Sequence, residues 1–454
     1  MKKTQKTHSS RRIALFAGAA ALMALAPQSQ AQSSVNDLLN KLEQKGVLTV
    51  DEAKELKAEN TQESAADFDK AFNSKFPMPD WVTGYKLSGD FRGRFDDVGT
   101  DLPAFTGHDN NLRLRYRLRA GLTVNMKDNL QVGFRLGTDD AAAAGNTTGG
   151  NPLSNNTTLQ GNGSKKFIFV DAAYGKWTAI NDGTWMVAGT IGKMDQPFQE
   201  SPMVFDPDYT PEGAALQATY KINDENSLLF NSAAFVLDQV NTRGPFLYGG
   251  QAIWNASWTS RLGTSAGIAA YDIADVANLK TTYDTNIGNT LSGGAFATRF
   301  NPIVASGSVT YTLDSFPLYQ GKFPIKVGGE YMNNPAAGSN NKGWWGGVTF
   351  GKSGKQGTWD LSYRYQRLEA DAWWDQIVDD DNIAVTPATP AVIPETGAAA
   401  AGTNIKGHLV KFNYSIFDSL TFTFTCYVND LINNPVPSAR SSAVHAMADL
   451  MWKF

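Results

Sequence analysis

Residues 112–120 read Leu-Arg-Leu-Arg-Tyr-Arg-Leu-Arg-Ala, placing arginine at every second position: Arg113, Arg115, Arg117 and Arg119. Successive side chains of a strand point to opposite faces. One face here is wholly basic. The other is Leu112, Leu114, Tyr116, Leu118 and Ala120. A dry core cannot cover four guanidiniums without counter-charges. Two arrangements remain. A soluble sheet leaves the basic face in water, whereas a transmembrane barrel turns the apolar face to lipid and the charged face to a wet lumen.

Both ends of the chain favour the barrel. Lys2, Lys3, Lys6, Arg11 and Arg12 precede the apolar run Ile13–Ala26, and Ser29-Gln30-Ala31 is a small-x-small cleavage site. This is the pattern of a secretory signal, expected over 1–31. The apolar run, roughly 14 residues, is shorter than the ~20 a membrane helix needs. At the other end Val444, Ala446, Ala448, Leu450, Trp452 and Phe454 share one face of an alternating segment, with His445, Asp449 and Lys453 on the other. Such a strand, stopping on an aromatic residue, resembles the closing strand of bacterial outer-membrane barrels.

Composition narrows the classes further. Charged residues make up 19% of the chain, aromatics 11%, and there are 42 glycines; charge falls below the ~25% of ordinary soluble domains. A net charge of −4 gives no basic character for nucleic acid. Cys426 is the single cysteine, so an internal disulfide is impossible. Its place on the apolar face of 422–428 makes it a lipid-facing thiol.

Residues 32–76 read differently from the rest. Val35, Leu38, Leu39 and Leu42 recur at helical spacing, Gly46 ends that run, and Thr49-Val-Asp-Glu52 is a capping box for a second short helix. A periplasmic helical leader is expected there. A barrel is expected over 77–454, where the period changes to two. Sixteen candidate strands fall near 83–96, 110–126, 129–140, 165–178, 184–194, 213–222, 226–239, 248–260, 262–275, 301–314, 323–334, 343–353, 357–370, 404–416, 419–430 and 440–454. Connections alternate between tight turns, such as Lys127-Asp-Asn129 and Phe417-Asp-Ser419, and long Gly/Asn/Pro-rich loops. Short turns on one side with long loops on the other is the outer-membrane layout. The expected fold is all-β: a 16-stranded antiparallel transmembrane barrel. Trp344, Trp345, Trp373 and Trp374 sit near strand ends, where interfacial girdles belong.

The third long connection contains Gly192-Lys-Met-Asp-Gln-Pro-Phe198 and Met203-Val-Phe-Asp-Pro-Asp-Tyr-Thr-Pro-Glu-Gly213. Four prolines stiffen it, and Asp195, Glu200, Asp206, Asp208 and Glu212 make it acidic. It reads either as a constriction folded into the lumen or as an ordinary exposed loop. These segments, with the arginine strand and the leader around Leu38–Thr49, resemble the bacterial "putative porin" outer-membrane barrel family. More distantly they are similar to the phosphate-selective porin O and P group. The resemblance implies a trimeric, sixteen-strand channel in the Gram-negative outer membrane, contacting lipid and passing small hydrophilic solutes or ions, with no cofactor. Phosphate selectivity is not carried over, because lysine-rich elements serve it there and this loop is acidic.

Catalysis finds no support in the residues. The four histidines, His8, His108, His408 and His445, have no nucleophile or metal-ligand spacing around them. Asp379-Asp-Asp381 lies in an Ala/Pro-rich stretch and reads as a solvated external loop. The function expected is a porin for passive diffusion. The alternatives are a plugged or receptor-like structural or adhesive outer-membrane barrel, and a soluble exported binding protein. For the porin, Arg92, Arg94, Arg113, Arg115, Arg117, Arg119 and Arg135 form one pore-lining wall opposed by the acidic third loop. Opposed walls set a transverse field, and arginine ladders favour anions. The competing reading of the ladder is charge pairing with Asp90 and Asp96, with no transport role.

Overall fold

The computed structural model describes residues 79–100, 109–140, 149–239, 244–281, 287–385, 399–435 and 441–454. The signal segment and the helical leader expected before residue 77 lie outside the described residues.

Sixteen strands close into one antiparallel barrel: β1 (Val82–Thr100), β2 (Asp109–Met126), β3 (Leu130–Asp139), β4 (Phe167–Asn181), β5 (Trp185–Lys193), β6 (Glu212–Lys221), β7 (Asn226–Val236), β8 (Phe246–Ser257), β9 (Leu262–Ala274), β10 (Ile303–Leu313), β11 (Phe323–Asn333), β12 (Lys342–Gly351), β13 (Trp359–Leu368), β14 (Ile405–Phe417), β15 (Leu420–Leu431) and β16 (Ala443–Lys453). Each strand pairs with its sequence neighbours, and β1 pairs with β16 from Asp90↔Lys453 to Thr100↔Ala443. Every strand matches one expected from the alternation, with ends displaced by a few residues. Closure removes the exposed edges that an open sheet would present. At the seam Gly89 and Phe454 exchange both backbone hydrogen bonds, at 2.8 and 3.1 Å.

Most turns at the chain-terminal end of the barrel are short, and their residues tolerate the geometry. Asp128 and Asn129 take φ of 61° and 59° between β2 and β3, a conformation Asp and Asn adopt more easily than other residues. Between β4 and β5 the Asp182 carboxylate accepts from the Thr184 and Trp185 amides, at 2.9 and 2.7 Å, and Gly183 supplies φ of 88°. The opposite end carries the other eight connections, loops 1 to 8 in chain order, among them the four longest, 140–166, 194–211, 275–302 and 369–404.

Alternation fixes the register. Leu114, Leu118, Phe134, Ile191, Leu216, Ile268, Val327 and Val410 point outward and are exposed; they form the apolar belt of a membrane-facing surface. Cys426 is on that outer face, half-buried. A one-residue slip of β2 would send its four arginines outward, at about 2–4 kcal/mol each at mid-membrane depth.

The hydrophobic core lies inside the barrel, towards the loop end. Loop 3 (194–211) and the first part of loop 7 (369–404), residues 369–385, fold inward and pack Phe198, Met203, Val204, Phe205, Trp373, Trp374 and Ile377 against Phe235, Leu247, Tyr271 and Phe300. Trp373 is 0% exposed and donates from Nε1 to the Val204 carbonyl at 2.8 Å. Phe205 and Phe300 meet its ring edge-on, at 6.2 and 6.5 Å, contacts worth roughly 0.5–1.5 kcal/mol each beyond area burial. Trp373 and Trp374 are thus core residues and not the girdle expected from sequence. Trp345 also faces inward, whereas its neighbour Trp344 is outward and 40% exposed. Within loop 2 (140–166), Thr157–Thr158 extends the wall by pairing with Tyr116 and Arg115 beyond the point where β3 leaves β2.

Candidate functional site

The arginine ladder faces the lumen, and each of its members is paired. Asp96, fully buried, takes Arg113 and Arg115 at 3.0 and 3.4 Å and His445 at 2.9 Å. Asp90 takes Arg117 and Arg119 at 3.0 and 2.8 Å. Asp449 binds Arg94 at 2.8 Å and lies 3.9 Å from Arg92, which also donates to Asn156. Arg94 reaches Asp381 of loop 7 at 3.2 Å. Arg135 pairs with Asp171 and, at 2.7 Å, with Asp195. On the outer side of the same strands Phe91 stacks on Tyr116 at 6.4 Å.

The acidic loop meets this wall in direct contact. Asp208 accepts from Arg117 and Arg119 at 2.8 and 3.2 Å. Burial alone would raise its carboxyl, but Arg117, Arg92 and Arg119 hold it below the usual range. Seven arginines therefore meet seven aspartates (Asp90, Asp96, Asp171, Asp195, Asp208, Asp381 and Asp449), and the ladder is locally neutral. The opposed wall across open water expected from sequence is not formed. Asp195 and Asp208 instead touch the arginines.

The other loop carboxylates go elsewhere. Glu200 accepts from Gln251 and the Tyr271 hydroxyl, both at 2.9 Å. Burial, then the nearby Glu330 charge, pushes its carboxyl up to about 8. Asp206 is raised well above the ordinary value by burial and by Asp380, Asp208 and Asp379. Glu212 opens β6, lies exposed and pairs with Lys193 at 3.4 Å, away from the arginine wall. Oxygens of Asp206, Asp379 and Asp380 lie within 4.8 Å of one another. They are engaged already: Asp206 accepts from the Asp208 amide at 2.7 Å, and Asp379 from Tyr427 at 3.0 Å.

Asp379 is 5% exposed, with its carboxyl lifted to about 6 by burial and by Asp381. The triplet 379–381 is thus part of the lumen, a correction to the solvated loop expected from sequence. Nothing in its Ala/Pro-rich surroundings signals this, because its partners Arg94, Tyr427 and His445 are distant in the chain.

Below the packed loops lies a cavity of about 1020 Å³. The ladder and the loop carboxylates form one side. Lys326, Thr349, Ser362, Arg364, Lys411 and Thr425, from β11 to β15, form another. Lys326 and Lys411 are lumen cations the sequence reading missed. Their alternation with outward-facing residues was the available signal. The arrangement can hold water and small polar solutes against fixed charges of both signs.

Fold and lumen together define a closed sixteen-stranded β-barrel with an apolar outer belt and a charged interior narrowed by its own loops. A family model described as "Putative porin" matches residues 96–313, from within β1 to the end of β10. Comparison with curated proteins returns no match. Among solved structures the chain is similar to Pseudomonas putida OprB, with TM-score 0.49 and 11% identity over 82% of this chain and 94% of that one. It is also similar to a double mutant of Rh. blastica porin (TM-score 0.41, 10% identity, 82% and 100% covered). A triple mutant of Rhodopseudomonas blastica porin gives TM-score 0.39 and 10% identity at the same coverage. The barrel assignment stands on this chain's own strand pairing.

Proposed function

We propose that this protein is an outer-membrane channel of porin type, passing small hydrophilic solutes and ions by diffusion. One observation carries the reading: a barrel closed on itself, apolar outside, encloses a cavity of about 1020 Å³ lined by charged and hydroxylated side chains. The match of residues 96–313 to the "Putative porin" family supports it. Only a helix or a closed barrel satisfies its backbone in hydrocarbon. The arginines of β1–β3 border the permeation path, and loop 3 narrows it. Purified protein in a planar bilayer is expected to give stepwise, ohmic conductance. Membranes that stay silent at high protein-to-lipid ratio would sink the reading.

A second reading, a plugged structural barrel, draws on the packed cluster of loops 3 and 7 around Trp373. The same measurement separates the two. We further propose cleavage after Ala31, checked by the N-terminal sequence of protein isolated from membranes. A homotrimer is the assembly we propose. It is supported by a concave apolar patch of about 540 Å³ around Leu216, Phe230, Ile268 and Ile303 on the outer face. Cross-linking in native membranes tests it.

A further inference from the structure

Charge in the lumen is distributed unevenly between satisfied and unsatisfied groups. All seven ladder arginines have carboxylate partners, although Nε of Arg92, Arg113 and Arg115 is itself unmatched, whereas the side chains of Lys326, Arg364 and Lys411 have no ion-pair or hydrogen-bond partner at all among the described residues. Arg364 Nε is buried and unpartnered, and its guanidinium lies 5.5 Å from the centre of the Trp345 ring. Trp345 Nε1 is a second buried donor without an acceptor. An unmatched buried donor is costly, so two of them beside two open ammonium groups point to an acceptor supplied from outside.

Strand register brings these groups together. Lys326 pairs with Thr349, Thr349 with Ser362, and Ser362 with Lys411, so the two lysines flank two hydroxyls along one row of β11–β14. Three strand spacings separate the lysine backbones by roughly 14 Å. Arg364 sits between them, one inward position beyond Ser362 on β13. Its register partners on β12 and β11 are Gly347 and Gly328, which leave the wall bare beside it. Glu330 and Asp379 bear on Arg364 through their charge, but neither makes an ion pair or hydrogen bond with it. Both Glu330 oxygens are taken by Ser201, at 2.6 and 3.2 Å, and Asp379 by Tyr427 and the Asp381 amide.

We propose that Lys326, Arg364, Lys411 and Trp345 Nε1 form a docking site for small organic dianions, dicarboxylates foremost, in the lumen. The proposal rests on the channel reading and names the solute class its wall selects. A guanidinium takes one carboxylate in bidentate fashion. Flexible lysines on either flank meet the second as point charges. Thr349 and Ser362 add hydroxyls between. A site this rich in open donors disfavours cations and gives a neutral sugar few acceptors.

The test titrates chloride current through single channels with succinate and, separately, with inorganic phosphate. Saturable block by succinate is expected. K326Q, K411Q and R364Q should each raise the half-blocking concentration about tenfold, with partial recovery in R364K. K453Q, a wall cation outside the cluster, should leave the block near wild type. Heat-modifiable gel migration confirms that each variant folds. Absence of succinate block in a conducting wild type overturns the proposal, as does equal weakening by K453Q. Block by phosphate without succinate overturns the dicarboxylate assignment. A wild type that does not conduct defeats the channel reading instead. Calorimetry of succinate with detergent-solubilised protein then decides the site: binding lost in R364Q upholds it, and no binding overturns it.

Discussion

Ser201 Oγ donates a 2.6 Å hydrogen bond to Glu330 Oε1, and the Ser201 amide donates to Oε2 at 3.2 Å. This pair ties loop 3 to the wall strand β11. Beside it Glu200 is held by Gln251 and Tyr271, with Oε2 buried and unpartnered. Two carboxyl groups therefore share one desolvated corner where loop 3 meets the wall, and like charges there repel.

The seating of loop 3 should depend on pH. Burial and Glu330 raise the Glu200 carboxyl from 4.5 to about 8. The folded state thus holds a proton that the unfolded chain has lost. The stabilisation is fully present below about pH 4.5 and fades as pH rises through about 8. Conductance should rise between pH 6 and pH 9 as the loop loosens. E200Q, which keeps the uncharged form, should show a flat profile over that range. Parallel profiles in the two proteins would assign the pH response to another group.

Trp373 joins loop 7 to loop 3 through the Val204 carbonyl and packs on Phe205, Tyr271 and Phe300. W373A should cost about 3–5 kcal/mol in loop packing, the range for a buried aromatic cut to alanine. The barrel itself should remain, because its strand ladder does not use this residue. Limited proteolysis should then cut within 369–404 while heat-modifiable migration persists. Loops as resistant as wild type would show that Trp373 is not the joint.

The barrel was legible because its two faces impose period two on every strand, and Leu114 or Val327 outside reports Arg115 or Lys326 inside. Loop placement was not legible. Trp373 lies 169 residues from its partner Val204, and local sequence has no signal for such a contact. The ladder shows both cases. Pairing with Asp90 and Asp96, on the adjoining strand, is the competing reading that sequence offers for the ladder. Asp449 pairs with Arg94 across 355 residues and follows only from barrel closure. Asp379 was misread because Asp in an Ala/Pro-rich stretch looks solvated until its buried partner Tyr427 is known.

Closure depends on a bare position at the seam. A Cβ on Gly89 would collide with the Arg119 carbonyl oxygen and the Phe454 ring. G89V should therefore slow or prevent pairing of β1 with β16, while leaving the interior strands untouched. Gel analysis of outer membranes should show the variant mainly as a non-heat-modifiable, protease-sensitive form. Normal folding of G89V would mean that the terminal Phe can swing aside without loss, and that the seam tolerates a side chain.

Arg117 bridges Asp90 at 3.0 Å and Asp208 at 2.8 Å, and its side chain is 5% exposed. R117A leaves those two carboxylates sharing Arg119 alone, so a neutral cluster becomes negative. Removing one partner of a largely buried pair should destabilise by roughly 1–3 kcal/mol, discounting the deeper figure for the wet lumen. The anion-to-cation permeability ratio should fall. The fall should be largest in dilute salt, where the screening length is ~30 Å at 0.01 M against ~3 Å at 1 M. Adding D208N to R117A restores charge balance and should return the ratio most of the way, which a purely steric effect of the truncated arginine would not do. Reversal potentials of the two variants across a salt gradient read this directly. An unchanged ratio in R117A would place the paired ladder off the permeation path and leave it a structural wall.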